Sequence, residues 1–132
     1  MAKSSALTLC DTNIIIEAFK GEPRTIAALQ KIGLDTIAVS AITVMELYYG
    51  ALNKSELAKI KKHLAALELF PITPDISDLA TMLIERYAKS HGLQIPDAVI
   101  AATAIIHRLP LFTYNTKDFR FIEELSLHAV VK

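Results

Sequence analysis

Hydrophobic residues follow two different spacings along this chain, and the two spacings alternate. Short apolar runs bounded by turn or capping residues predict strands, and longer stretches with apolar residues three or four positions apart predict helices. The predicted strands are residues 7–10, 36–39, 69–72, 111–113 and 127–131. The predicted helices are residues 14–20, 24–32, 41–52, 55–67, 75–90 and 96–108, with a shorter helix near residues 119–125.

Strands that alternate with helices are typical of a parallel sheet covered by helices on both faces. We therefore predict an α/β fold with three layers, α/β/α, around a five-stranded parallel sheet. No repeat, linker or low-complexity segment interrupts the pattern, so residues 1–132 are predicted to form a single domain.

The composition fits a folded protein and removes one simple mode of binding. Of the 132 residues, 52% are hydrophobic, with only 4 Gly and 5 Pro, so the chain can bury a substantial core. Lys plus Arg and Asp plus Glu are balanced at 14 each, which gives a formal net charge of +0. Net charge therefore provides no general attraction to nucleic acid or to an anionic membrane, and a nucleic-acid partner would need a local basic patch.

The compartment is indicated by the single cysteine and the apolar runs. Cys10 has no partner for an internal disulfide, which fits a reducing compartment. The apolar stretch near the N-terminus is short and ends at Asp11, unlike a signal peptide. No apolar run approaches the roughly 20 residues of a membrane-spanning helix. We therefore expect a soluble cytoplasmic protein with no membrane partner.

Several common chemistries lack their motifs in this sequence. The phosphate-binding patterns G-x-G-x-x-G and G-x-x-x-x-G-K-[ST] do not occur, and neither does the nucleophile motif G-x-S-x-G. The four histidines are scattered without H-x-x-x-H spacing, so a zinc site is not expected.

Four acidic residues stand in positions where an ordinary structural role competes with a functional one. Asp97 opens the apolar segment 95–106, where a first-turn carboxylate stabilises a helix by about 0.3–1 kcal/mol. Asp11 follows the first strand as a helix N-cap, and Asp118 lies in a polar turn. Glu46 stands amid apolar neighbours, either on a narrow solvent-facing side of its helix or directed at a ligand, and the sequence leaves both readings open.

The four acids are more informative together than singly. Functional sites of parallel α/β sheets form beyond the carboxyl ends of the strands, where all four can meet. Two carboxylates about 5 Å apart at an effective dielectric constant near 20 repel by roughly 3 kcal/mol. Such a cluster stays ionised around a cation or takes up protons. Oxygen ligands without His or Cys favour Mg²⁺ or Mn²⁺.

The sequence resembles the PIN-domain family, and specifically the VapC-type toxins of prokaryotic toxin–antitoxin pairs. The resemblance spans nearly the whole chain and rests on four stretches in order, LTLCDTNIII, AITVMELYYGAL, GLQIPDAVIAATAI and LFTYNTKDFRFI. It implies a five-stranded parallel sheet, an Mg²⁺- or Mn²⁺-dependent ribonuclease activity, a homodimer and a small cognate antitoxin. None of the four acidic positions departs from the family pattern.

The resemblance also assigns roles to individual residues. The catalytic, metal-binding acids would be Asp11, Glu46, Asp97 and Asp118, supported by the polar residues Thr12, Asn13 and Asn115. We expect the metal to activate water for attack on RNA phosphorus. Lys117 and Arg120 flank the last acid and either touch RNA phosphates or are ordinary surface charge.

Other function classes remain as alternatives at this point. The chain can be a non-catalytic PIN-fold interaction module, or a PIN nuclease with a housekeeping role in RNA processing. A haloacid-dehalogenase-type phosphatase would need a second Asp two residues after Asp11, where this chain has Asn13. A phosphorylated receiver domain would need a second acid beside the first strand, and none is present there.

Overall fold

The structure, a computed structural model, describes residues 7–128. Within that range the strands are β1 (Thr8–Cys10), β2 (Ile37–Ser40), β3 (Glu68–Phe70) and β4 (Leu111–Phe112). The α-helices are α1 (Thr12–Phe19), α2 (Pro23–Ile32), α3 (Ala41–Tyr49), α4 (Lys54–Leu64), α5 (Pro74–His91) and α6 (Ile95–His107). The predicted alternation of strands and helices is confirmed.

The strands form one parallel sheet in the order β3-β2-β1-β4. β1 lies in its interior, with Thr8 opposite Ile37 on β2 and Leu9 opposite Leu111 on β4. All three residues of β1 are buried, because helices cover both faces of the sheet there. The parallel arrangement brings the carboxyl ends of all these strands to one edge.

The prediction of five strands is wrong for the described residues, which contain four. Beside β4, Leu127 forms one isolated parallel bridge with Leu111. The amide of Leu111 donates to the carbonyl of Ser126, and the amide of His128 donates to the carbonyl of Leu111, each at 2.8 Å. A single bridge does not make a strand, and residues 129–131 of the predicted one lie outside the described residues.

The helix predicted near residues 119–125 does not form. A 3-10 turn covers Thr116–Asp118 and further turns follow it. Phe119 and Ile122 are each 1% exposed. Their spacing of three residues, which is typical of a helix, comes from two side chains that enter the core from turns.

Two helices, α3 and α4, end three residues earlier than predicted. α3 stops at Tyr49 and α4 at Leu64, not at residues 52 and 67. The amide of Gly50 closes the last turn of α3 on the carbonyl of Glu46 at 3.0 Å. Beyond this point the chain leaves the helix, and the Tyr49 and Leu52 side chains are 94% and 84% exposed.

Two apolar clusters fill the two faces of the sheet and give the predicted three layers. Leu9 packs in the cluster with α5 and α6, whereas the next residue, Cys10, packs in the cluster with α1, α2 and α4. Burial raises the pKa of the Cys10 thiol to about 12, so this cysteine is an unreactive core residue. Within residues 7–128, no helix has both the length and the apolar character needed to cross a membrane.

Candidate active site

Asp11 is held rigidly where β1 ends and α1 begins. Its side chain is only 4% exposed, and it caps α1 by accepting a hydrogen bond from the amide of Thr12 at 2.8 Å. The hydroxyl of Thr113, just beyond β4, donates to its other carboxylate oxygen at 2.8 Å. Burial raises the pKa of Asp11, and these two hydrogen bonds act in the opposite direction. The N-cap role expected of Asp11 is therefore confirmed, and it coexists with a place at the site.

Asp97 lies in the first turn of α6 and is held in a different way. Burial is the main cause that raises its pKa to about 6, and the negative charges of Asp11, Asp118 and Glu46 add to it. No hydrogen bond to the Asp97 carboxylate is present among residues 7–128. The charges of Glu46 and Asp118 therefore act on both Asp11 and Asp97, although these acids come from four separate segments.

Glu46 is directed towards the other acids by a hydroxyl of α1. The Thr12 hydroxyl donates to Glu46 Oε1 at 2.7 Å and lies 2.9 Å from the hydroxyl of the fully buried Thr43. These contacts join the start of α1 to the middle of α3. Of the two readings left open by the sequence, the one in which Glu46 faces a site agrees with this geometry.

Asp118 is placed more loosely than the other three acids. It lies on the exposed side of the 3-10 turn and does not line the cleft between them. Its charge is still near enough to raise the pKa of both Asp11 and Asp97. Lys117 and Arg120 beside it are also exposed and lie outside the cleft lining.

These residues surround an open cleft of about 630 Å³ at the carboxyl edge of the sheet. Six residues that line the cleft were predicted from the sequence as site residues. The three that were missed, Ile16, Met45 and Tyr49, have large and mainly apolar side chains. The nine are Asp11, Thr12, Asn13, Ile16, Met45, Glu46, Tyr49, Asp97 and Asn115. Met45 and Tyr49 are exposed and form its rim.

The donor chemistry of the cleft fits a hard divalent cation. Carboxylate, hydroxyl and amide oxygens are the ligands preferred by Mg²⁺ and Mn²⁺. In residues 7–128, no three His, Cys, Asp or Glu side chains are yet close enough to surround one ion. The residue types fit the metal, and because Mg²⁺ usually keeps several water ligands, one or two of these carboxylates would be enough to hold it.

Comparisons with known proteins agree with the geometry. The family model described as PIN domain matches residues 8–125. Ribonuclease VapC19 from Mycobacterium tuberculosis is 33% identical over 91% of this chain and 98% of its own length. Toxin FitB from Neisseria gonorrhoeae is 36% identical over 86% of this chain and 91% of its own length.

A solved structure gives the same result for the fold. A toxin–antitoxin complex from Klebsiella pneumoniae contains a chain that is 36% identical to this one, with a TM-score of 0.76. The match covers 89% of this chain and 94% of that chain. The α/β architecture described above is therefore the one this group of proteins shares.

Proposed function

This chain belongs to the PIN-domain family, and we propose from that premise that it is a metal-dependent endoribonuclease. Its biological role would be that of a VapC-type toxin in a type II toxin–antitoxin pair. Similar proteins named as ribonuclease and toxin support this proposal. We place the activity in the cytoplasm, where RNA and reduced thiols such as Cys10 coexist.

The observation that carries the proposal is the convergence of three carboxyl groups, Asp11, Glu46 and Asp97, on one cleft, with the charge of Asp118 acting on two of them. Asp97, with its pKa raised to about 6 by burial and by Asp11, Asp118 and Glu46, is in an environment that favours neutralisation by a proton or a cation. Raised carboxyl pKa values in a cleft are typical of functional sites. These four acids would hold the Mg²⁺ or Mn²⁺ ion.

The chain's own residues divide the remaining work. A bound divalent ion would activate water and neutralise charge on the phosphoryl oxygens. Asp11 presents a fixed carboxylate because two hydrogen bonds orient it, and the Thr12 hydroxyl orients Glu46. Because the pKa of Asp97 is raised to about 6, protonation of this carboxyl below that pH would compete with metal binding.

Cleavage of RNA by the purified protein tests this function. We expect hydrolysis of single-stranded RNA that requires Mg²⁺ or Mn²⁺ and stops on chelation. D97N should remove the activity, whereas D75N provides a matched control, because Asp75 also follows a proline in the first turn of a helix but is exposed. Cleavage by D97N equal to that of the unaltered protein would contradict the site. No cleavage by the unaltered protein would favour a non-catalytic module.

An antitoxin is the partner we propose for the surface beside the cleft. A second groove of about 510 Å³ adjoins it, shares Ile16 and Glu46 with it, and is lined by the apolar side chains of Phe19, Leu47 and Ile60. An amphipathic antitoxin segment would cover such a groove and place an Arg among the acids, since a planar guanidinium can bridge two carboxylates.

Competition with metal tests this mode of inhibition. The affinity of an antitoxin tail peptide should fall as Mn²⁺ rises, and an Arg→Ala tail should bind more weakly and lose most of that dependence. Binding of the native peptide that is independent of Mn²⁺ would contradict it. The homodimer implied by the family resemblance stays a prediction, which light scattering of the purified protein tests.

A further inference from the structure

A second polar cavity of about 540 Å³ adjoins the catalytic cleft and has no role in the chemistry described so far. Its lining is formed by Asn13, Glu17, Glu22, Arg24, Tyr114 and Asn115. Asn13 and Asn115 line both cavities, so the two lie side by side. A nucleotide next to one bound in the acidic cleft would therefore be near this second cavity.

Tyr114 is a large aromatic side chain fixed at both ends while still 40% exposed. Its ring packs edge-on against Phe112, with the ring centroids 5.6 Å apart and an interplanar angle of 82°. Its hydroxyl lies 2.6 Å from that of Thr25, which is fully buried and in turn donates to Glu22 at 2.8 Å. The ring loses little further freedom when a ligand binds, so a stacked ligand is favoured.

The charges of this cavity favour a nucleobase over a phosphate. Glu17 and Glu22 contribute two carboxylates against the single guanidinium of Arg24, which disfavours an anionic ligand. Asn13 and Asn115 provide amide groups that can donate to and accept from the edge of a base. An unpaired base stacks on a tyrosine whatever its sequence, and its edge can then be read by polar groups.

We propose that this cavity is a base-binding subsite in which Tyr114 stacks against an unpaired RNA base next to the cleaved phosphate. The inference rests on the proposed ribonuclease function and adds to it a feature of the substrate, an unpaired base beside the cleaved phosphate that is free to leave its own stack. It makes Tyr114 a substrate-binding residue outside the acidic set.

Single abasic sites test the subsite. A cleaved single-stranded RNA is first selected from a random pool in Mn²⁺, and an abasic ribose is then moved along it one position at a time. With the unaltered protein, loss of the base at one position near the cleavage site should lower kcat/KM by about tenfold, the order expected for one base–aromatic stack. Y114F should keep this profile, because it retains the ring.

Y114L should cleave the intact RNA about tenfold more slowly and show no further loss at that abasic position. Y48L is the matched control, since Tyr48 is 39% exposed and lies outside both cavities, and it should keep the profile of the unaltered protein. An equal abasic penalty in Y114L and the unaltered protein would overturn the subsite but not the ribonuclease function. The same conclusion would follow if Y114L weakened antitoxin binding and left RNA cleavage unchanged. No cleavage of any RNA by the unaltered protein would overturn the ribonuclease function itself.

Photocrosslinking gives an answer that does not depend on the folding of Y114L. The D97N protein is irradiated with the selected RNA carrying 5-iodouridine at the sensitive position, and the crosslinked peptide is identified by mass spectrometry. Attachment at Tyr114 is the expected result. Attachment only to residues outside this cavity would overturn the proposal.

Discussion

Two walls of the cleft each present a carboxylate. The sheet wall, at the end of β1, carries Asp11, and the helix wall, at the first turn of α6, carries Asp97. The two carboxylates are held in opposite ways. On the sheet wall, Asp11 is 4% exposed and accepts hydrogen bonds from the Thr12 amide and the Thr113 hydroxyl. On the helix wall, Asp97 is half-buried, and no hydrogen bond to its carboxylate is present within residues 7–128. Hydrogen-bond partners hold the Asp11 carboxylate in place, whereas burial and neighbouring charges raise the pKa of the Asp97 carboxylate.

This difference indicates how the two walls would share the binding of a cation. A carboxylate held by two donors keeps its position whether or not an ion is present, so its contribution is preorganisation. A carboxylate with no donors can move and can exchange its proton for a metal ion. The sheet wall would therefore fix the geometry, and the helix wall would respond to pH and to metal.

Substitution of Asp97 gives the largest effect that the comparison predicts. We expect D97N to lower RNA cleavage on the order of a thousandfold, since it removes a ligand of the metal that would stabilise the transition-state charge, and loss of one such source of stabilisation costs about 10²–10³. The amide keeps the size of the side chain, so the melting temperature in the absence of metal should not fall. Single-turnover assays in Mn²⁺ measure the loss, with D75N as the control that keeps full activity.

Substitution of Asp11 tests the fixed wall through metal-linked stability. Mn²⁺ at 100 times its dissociation constant should stabilise the unaltered protein by about 2.7 kcal/mol. D11A should lose most of this gain, because the carboxylate that needs no rearrangement is gone. Thermal melting with and without Mn²⁺ measures the gain, and equal shifts in the two proteins would show that Asp11 is not a ligand.

A subtler change loosens the fixed wall while leaving every acid in place. T113V removes the hydroxyl that donates to Asp11, and we expect roughly tenfold weaker Mn²⁺ binding, as is common when a ligand loses its supporting partner. T103V is the control, since Thr103 is equally buried but its hydroxyl donates within α6 to the carbonyl of Val99. If both variants bind Mn²⁺ equally well, the hydrogen bond does not matter for the site.

The smallest effect concerns pH and the helix wall. The pKa of Asp97 is raised from its ordinary value of 3.8 to about 6, so the folded metal-free protein binds more protons than the unfolded chain between these values. Its stability is therefore greatest below pH 4 as far as this group is concerned, and falls as pH rises through 6. D97N should remove that fall and be more stable than the unaltered protein at pH 7.

The expected gain at pH 7 is about 1 kcal/mol, because the partial exposure of Asp97 screens the interaction. Urea unfolding in the absence of metal at pH 4 and pH 7 measures it. A pH dependence that is the same with Asp and with Asn at this position would refute the electrostatic description of the helix wall.

The sequence was sufficient for the parts of the site that depend on local signals. Asp11 follows a strand and Asp97 begins a helix, and both positions are visible as changes in the hydrophobic pattern. The contact of Asp11 with Thr113 spans 102 residues and depends on the pairing of β1 with β4, which no local pattern encodes. Thr113 was therefore missed as the partner of Asp11.

The errors in the fold have a similar origin. Phe119 and Ile122 have helical spacing, but the core accepts both from turns, so tertiary packing overrode the local pattern. α3 was predicted to reach residue 52 but ends at Tyr49, with Gly50 as its C-cap. The sequence shows a glycine there, but one glycine in an otherwise helical pattern does not show that the helix ends at it.

The 102 residues between Asp11 and its hydroxyl partner also set the order in which this protein can become active. At about 5–20 residues per second, translation adds Thr113 at least about five seconds after Asp11. Until then the Asp11 carboxylate lacks the Thr113 hydroxyl, one of its two hydrogen-bond donors, and Asp118 has not yet been added to the chain. A site assembled from residues this far apart along the chain is complete only late in synthesis. Under the proposed ribonuclease function, an antitoxin already present in the cell would have time to meet the chain before its site is complete.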